Sequence, residues 1–172
     1  MTTDNDVLEV NKNRYWELLW NTRLGIRYHM HMQNFYSRFG KFVTAFTLIL
    51  STSAGAAIIA TSSDIAKIAA FSAAVLQIIE LVMDSKSKTS LHSTLRQRYI
   101  YIESELSHYE QLTHKEAATL KTKIATIEIE EPPIKNSVME KCHNELVKVL
   151  DLDTDRLQDI GIFRKVFGIW YS

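Results

Sequence analysis

The sequence predicts an all-helical membrane protein, built from a two-helix transmembrane hairpin and a cytoplasmic helical layer. No charged side chain occurs from Phe42 to Ser63. After the single acid Asp64, a second apolar stretch runs from Ile65 to Met83. No strand-like alternation of any length appears, and the 172 residues include only 5 glycines and 2 prolines. A helix needs about 20 mostly apolar residues, rising roughly 1.5 Å each, to cross a hydrocarbon core about 30 Å thick. Both stretches have that length.

The competing reading makes both stretches core helices of a soluble bundle, because the second contains Lys67, Gln77 and Glu80. Lys67 and Glu80 stand near its opposite ends, where long side chains reach the interface and the cost of a charge falls. The first stretch shows no charged face at all, which suits a bundle helix poorly. The membrane reading is therefore preferred.

Taken in order, residues 1–6 are polar and frayed. Residues 7–41 form an N-terminal amphipathic or interfacial helix: Trp16 and Trp20 are four apart, and Tyr15, Leu19, Arg23 and Arg27 follow at helical steps. Its arginines, Arg38 included, set against Trp16, Trp20, Tyr28, Phe35, Tyr36 and Phe39, suit the cytoplasmic interface. Packing on the soluble layer suits them equally. Residues 42–61 form the first transmembrane helix and residues 65–84 the second, joined by a turn without a basic residue. The apolar hairpin starts well into the chain, so the first helix is expected to act as an uncleaved anchor with no signal peptide before it. Arg23, Arg27, Arg38 and Lys41 precede the hairpin, and Lys86, Lys88, Arg96 and Arg98 follow it, which puts both termini in the cytoplasm.

Cytoplasmic helices fill residues 85–150. The first continues the second membrane helix to about Leu112, carrying Leu91, Leu95, Tyr99, Ile102, Leu106 and Tyr109 at steps of 4, 4, 3, 4 and 3, a seam suited to helix packing or a short coiled coil and the candidate homo-oligomer seam. Thr113 followed by Glu116 is a capping box that opens the next helix, and Pro132 with Pro133 closes it. A last helix from about Ile134 to Leu150 aligns Val138, Cys142, Leu146 and Val149. Residues 151–172 form an aromatic and basic tail with Phe163, Phe167 and Trp170 beside Arg164 and Lys165.

Composition narrows the function. Twenty basic and twenty acidic residues cancel, so no global field steers the chain onto nucleic acid. A single cysteine, Cys142, excludes an internal disulfide and reads as a small buried residue. Isolated glycines give no phosphate loop. Asp151, Asp153 and Asp155 open like a calcium loop, but Arg156 stands where its glycine belongs and Ile162 where its closing acid belongs. His29 and His31 face different sides of a helix. No catalytic, cofactor or metal residues are therefore assigned.

One constellation remains. Ala66, Ala70, Ala73, Gln77, Glu80 and Asp84 lie along one face of the second membrane helix, small and then polar. The first helix offers Thr44, Thr47, Ser51 and Gly55 at helical steps, the last two a small-xxx-small pair. These stripes either hold one hairpin together or, with several hairpins associated, let Gln77 and Glu80 ring a wetted path. Both require helix association.

The spaced arginines Arg23, Arg27 and Arg38, the tight hairpin, the long helix with Leu91, Leu95, Tyr99 and Ile102, and the step Glu130, Glu131, Pro132, Pro133 make residues 14–150 resemble the SLATT family. These are bacterial two-transmembrane effector domains of nucleotide-linked conflict systems. The resemblance implies a non-enzymatic effector in the inner membrane that oligomerises and perturbs or opens the bilayer in anti-phage defence. It also implies a trigger supplied by a separate sensor or nucleotide-generating protein. A non-conducting membrane scaffold or regulatory subunit, and less readily a soluble helical adaptor, are the alternatives.

Overall fold

A computed structural model describes residues 4–52 and 63–161, with the backbone alone for residues 63, 65 and 66. The regular elements among them are all helical: α1 (Asp4–Ser51), α2 (Ser63–Met83), α3 (Ser85–Leu106), α4 (His114–Glu128), α5 (Asn136–Val149) and a short 3-10 turn (Thr154–Arg156). The chain divides into two compact units, one formed by Met32–His92 and the other by Met1–His31 with Ser93–Ser172. The end of the expected first membrane helix, residues 53–61, and the tail positions Phe163, Phe167 and Trp170 lie outside the described residues.

No break in the helix marks the expected division between residues 41 and 42. Charge stops there, but α1 continues, because backbone hydrogen bonding is indifferent to side-chain polarity. Asp84, expected at the end of the second membrane helix, is instead the residue between α2 and α3. It adopts φ 46, in the left-handed region that aspartate tolerates better than most residues. Its N–H still donates to the Glu80 carbonyl at 2.8 Å and its carbonyl accepts from Lys88 N at 3.0 Å. Its carboxylate accepts from Ser87 N at 3.2 Å, capping α3.

The unit built from both chain ends is organised around an apolar cluster. Leu18 and Leu19 of α1, Leu95, Tyr99, Ile102 and Leu106 of α3, and Leu120, Ile124 and Ile127 of α4 are all buried in it. Four positions of the expected oligomer seam are thus covered by the chain's own helices. Tyr109 packs on the edge of the cluster, and Leu91, in the other unit, stays exposed. A four-three spacing specifies that a face is buried, not which helix buries it. The α1 aromatics divide likewise: Tyr28 is buried and Trp20 meets the His143 ring edge-on, whereas Trp16 is exposed.

Thr113 caps α4 as the sequence predicts. Its hydroxyl accepts from Glu116 N, while the Glu116 carboxylate accepts from Thr113 N at 2.9 Å and from its hydroxyl at 2.7 Å. Those hydrogen bonds hold the Glu116 carboxyl below the usual range. The helix ends at Glu128, ahead of Pro132. On α5, Val138, Cys142 and Leu146 are buried as expected, but Val147 is buried in place of Val149. Val149 borders an open cavity of about 380 Å³ with Arg23, Arg27 and Glu103 and is itself exposed.

A polar junction stands among these apolar groups. His29 is wholly buried, with Nε2 3.0 Å from Glu131 Oε1 and its ring stacked on Tyr99. The Tyr99 hydroxyl donates to the same carboxylate oxygen at 2.7 Å. Burial, with that carboxylate alongside, pushes the Tyr99 hydroxyl far above its ordinary range, so it stays protonated and donating. The ring lies against Gly25, where an added Cβ would stand 2.8 Å from Tyr99 Cζ.

Gly25→Ala therefore tests the packing. Alanine favours the helix by about 1 kcal/mol, yet its methyl would displace a ring fixed by its hydroxyl, and overpacking costs about 1–3 kcal/mol. The expected result is a lower midpoint in denaturation followed by circular dichroism. A midpoint raised by the full propensity gain would mean that the ring yields freely.

Candidate functional site

The unit Met32–His92 is built on a different rule. From Ile68 to Ile79, α2 carries no charge, and its large side chains point away from the protein: Ile68 is 67% exposed, Phe71 72% and Leu81 81%. The stretch Lys67–Leu106, which α3 continues, is long and apolar enough to cross a membrane, and among the described residues no other helix is. A soluble core helix would be covered by its neighbours, but only 6% of this helix's apolar window is buried. Phe42, Leu48 and Ile49 of α1 are exposed as well, and Phe42 stacks on Phe46.

Several polar groups among the described residues of this unit bond locally. Gln77 Nε2 donates to Thr47 Oγ1 at 2.7 Å, and Thr47 Oγ1 donates to the Val43 carbonyl at 2.8 Å, so a relay crosses from α2 to the α1 backbone. One turn on, Glu80 Oε2 accepts from Ser85 Oγ at 2.7 Å. Glu80 and Ser85 lie against Gly40, where a Cβ would meet Ser85 Cβ at 3.3 Å and Glu80 Oε1 at 3.4 Å. Tyr36 stacks on His92, and Lys88 Nζ stands 5.3 Å from the Tyr36 ring centre.

Of the expected stripe residues, the structure brings together Thr47 and Gln77. Thr44 and Ser51 turn their hydroxyls onto carbonyls of their own helix, Gly40 and Leu48. Ala70 is exposed, Ala73 half-buried, and Asp84 serves as a cap. The side chain of Ala66 and all of Gly55 lie outside the described residues. Opposite Glu80 stands Gly40, which sequence reasoning missed together with Ser85. A glycine placed in a helix of arginines and aromatics was the available signal for a close approach.

Among the described residues no group of three or more His, Cys, Asp or Glu side chains could hold a metal ion. The arrangement can insert apolar surface into a bilayer and join two helices through an interhelical hydrogen bond. No protein-family profile matches the chain, and no curated protein or solved structure matches it either.

The Thr47–Gln77 bond is measurable by a double-mutant cycle of Thr47→Val and Gln77→Leu in detergent or bilayer unfolding. Interhelical bonds of this kind couple by about 0.6 kcal/mol, with a maximum near 1.7. A positive coupling in that range is expected. Additive single effects would mean that the two side chains do not meet.

Proposed function

We propose that this chain is a non-enzymatic membrane effector of bacteria. Its hairpin lies in the inner membrane with both termini cytoplasmic, copies associate, and a separate sensor or nucleotide signal makes the assembly perturb the bilayer in anti-phage defence. The observation that carries the membrane part is the uncovered apolar surface of α2. Ile68, Phe71, Val75, Ile78 and Val82 follow one another at steps of three and four and are all exposed, a stripe of the kind lipid covers. The defence part rests on the resemblance of residues 14–150.

A specific observation favours the second reading, a non-conducting scaffold. The Gln77 amide and the Glu80 carboxylate, which a wetted path would use, already bond Thr47 and Ser85 within one chain. The effector reading is accordingly taken as membrane perturbation without a lumen ringed by Gln77.

Membrane fractionation followed by thiol labelling tests the placement. A cysteine at Ser62 or Ser63 is expected to react with an impermeant reagent from outside spheroplasts, and one at the exposed Ser104 only after lysis. Native Cys142 adds no background, because burial, with Glu145 nearby, pushes its thiol up to about 12. Recovery in the soluble fraction would remove the membrane reading. Leakage from proteoliposomes together with growth arrest is expected of an effector, and stable insertion without leakage would leave the scaffold.

A further inference from the structure

The Met32–His92 unit contains a cavity of about 550 Å³ between α1 and the α2–α3 junction. Its chemistry is graded along α1. Ser37 and Lys41 line one end, and Ala45 and Leu48 line the other. From Lys41 to Leu48 the helix rises about 10 Å. Across from them, Lys86 and Thr89 of α3 line the polar end, and the Glu80 carboxylate lies between. Neither Lys41 nor Lys86 forms an ion pair among the described residues, whereas the nearby Lys88 is engaged over the Tyr36 ring.

We propose that this cavity is a binding site for a monoanionic glycerophospholipid, of which phosphatidylglycerol is the simplest. The inference rests on the membrane reading above. Lys41 and Lys86 supply two ammonium groups to one phosphate, and Ser37 and Thr89 supply hydroxyl donors beside them. One acyl chain follows Ala45 and Leu48 into the apolar part of the unit. Glu80 decides the rest of the headgroup. Its Oε2 is occupied by Ser85, and its Oε1 lies beside Gly40, which also lines the cavity. A glycerol hydroxyl can donate to that oxygen, while a bare phosphate would meet only repulsion from it. Two ammonium groups and one carboxylate leave a single positive charge, matched by a headgroup of charge minus one. Basic pockets between helices on the cytoplasmic side are where such headgroups bind.

The Glu80–Ser85 bond then has a use beyond holding the junction. It engages one carboxylate oxygen with Ser85, and among the described residues Glu80 forms no ion pair with either lysine, so the lysines remain available to phosphate.

The test titrates the purified full chain in detergent with short-chain phosphatidylglycerol, phosphatidylcholine or inorganic phosphate, reading binding by native mass spectrometry and melting temperature. Phosphatidylglycerol is expected to bind about tenfold or more tighter than phosphatidylcholine, and inorganic phosphate not to compete. Lys41→Ala with Lys86→Ala should remove the preference, Lys41→Arg with Lys86→Arg should keep it, and Lys67→Ala, outside the cavity, should leave it unchanged. Equal binding of both lipids, or retention by the double alanine variant, would overturn the proposal. Competition by inorganic phosphate would make the cavity a free-anion site and overturn it as well. Fractionation of the same preparations separates the two readings: a membrane-bound protein without lipid preference loses only this site, and a soluble one loses the membrane reading itself.

Discussion

A carboxylate out of water has to be matched by donors, and the unit formed from both chain ends is arranged around that requirement at Glu131. Its Oε1 receives the Tyr99 hydroxyl from α3 and faces Nε2 of the buried His29 from α1. Removing one partner of such a group costs the full desolvation penalty of what remains, about 1–3 kcal/mol or more. The apolar cluster around it is therefore directional. Leu95, Ile102 and Leu106 can slide against Leu18 and Leu19 at little cost, but the His29 and Tyr99 rings can satisfy Glu131 in one arrangement only. The step Glu130, Glu131, Pro132, Pro133 delivers the carboxylate just where α4 has ended.

The Met32–His92 unit treats polarity in the opposite way. Many of its large apolar side chains are exposed, while Thr44, Thr47 and Gln77 bond one another or backbone carbonyls. In water this exposes a large apolar surface, of the kind that hydrocarbon would cover. One chain thus contains both solutions to the same problem of where hydrogen-bonding groups can be placed.

Legibility followed the range of the interaction. The Thr113–Glu116 box and the proline stop were plain in the sequence, since each is settled within a few residues. The length and apolarity of α2 were equally plain. The periodic face of Leu95, Tyr99, Ile102 and Leu106 was visible, but its partner was not, because spacing fixes a burial direction and leaves the covering helix open. The His29–Glu131 pair is 102 residues apart in sequence and carries no local signature, so in the sequence His29 showed only that it faces a different side of its helix from His31. Gln77 was placed on the correct face of its helix, and Thr47 on that of its own. Ser85 was missed because a serine after an aspartate is common anywhere, and Gly40 because a lone glycine signals a close approach without naming what approaches.

Two long antiparallel helices with leucines on both faces have many near-equivalent ways to slide past each other, one turn at a time. Gly25 removes that freedom. The Tyr99 ring occupies the volume that any other residue would fill with Cβ. Shifted by a turn along α1, the same ring would press on Asn21 or His29, neither of which leaves that space. An absent atom thus acts as an index mark, a steric exclusion that specifies the register of α1 against α3 together with the hydrogen bonds to Glu131.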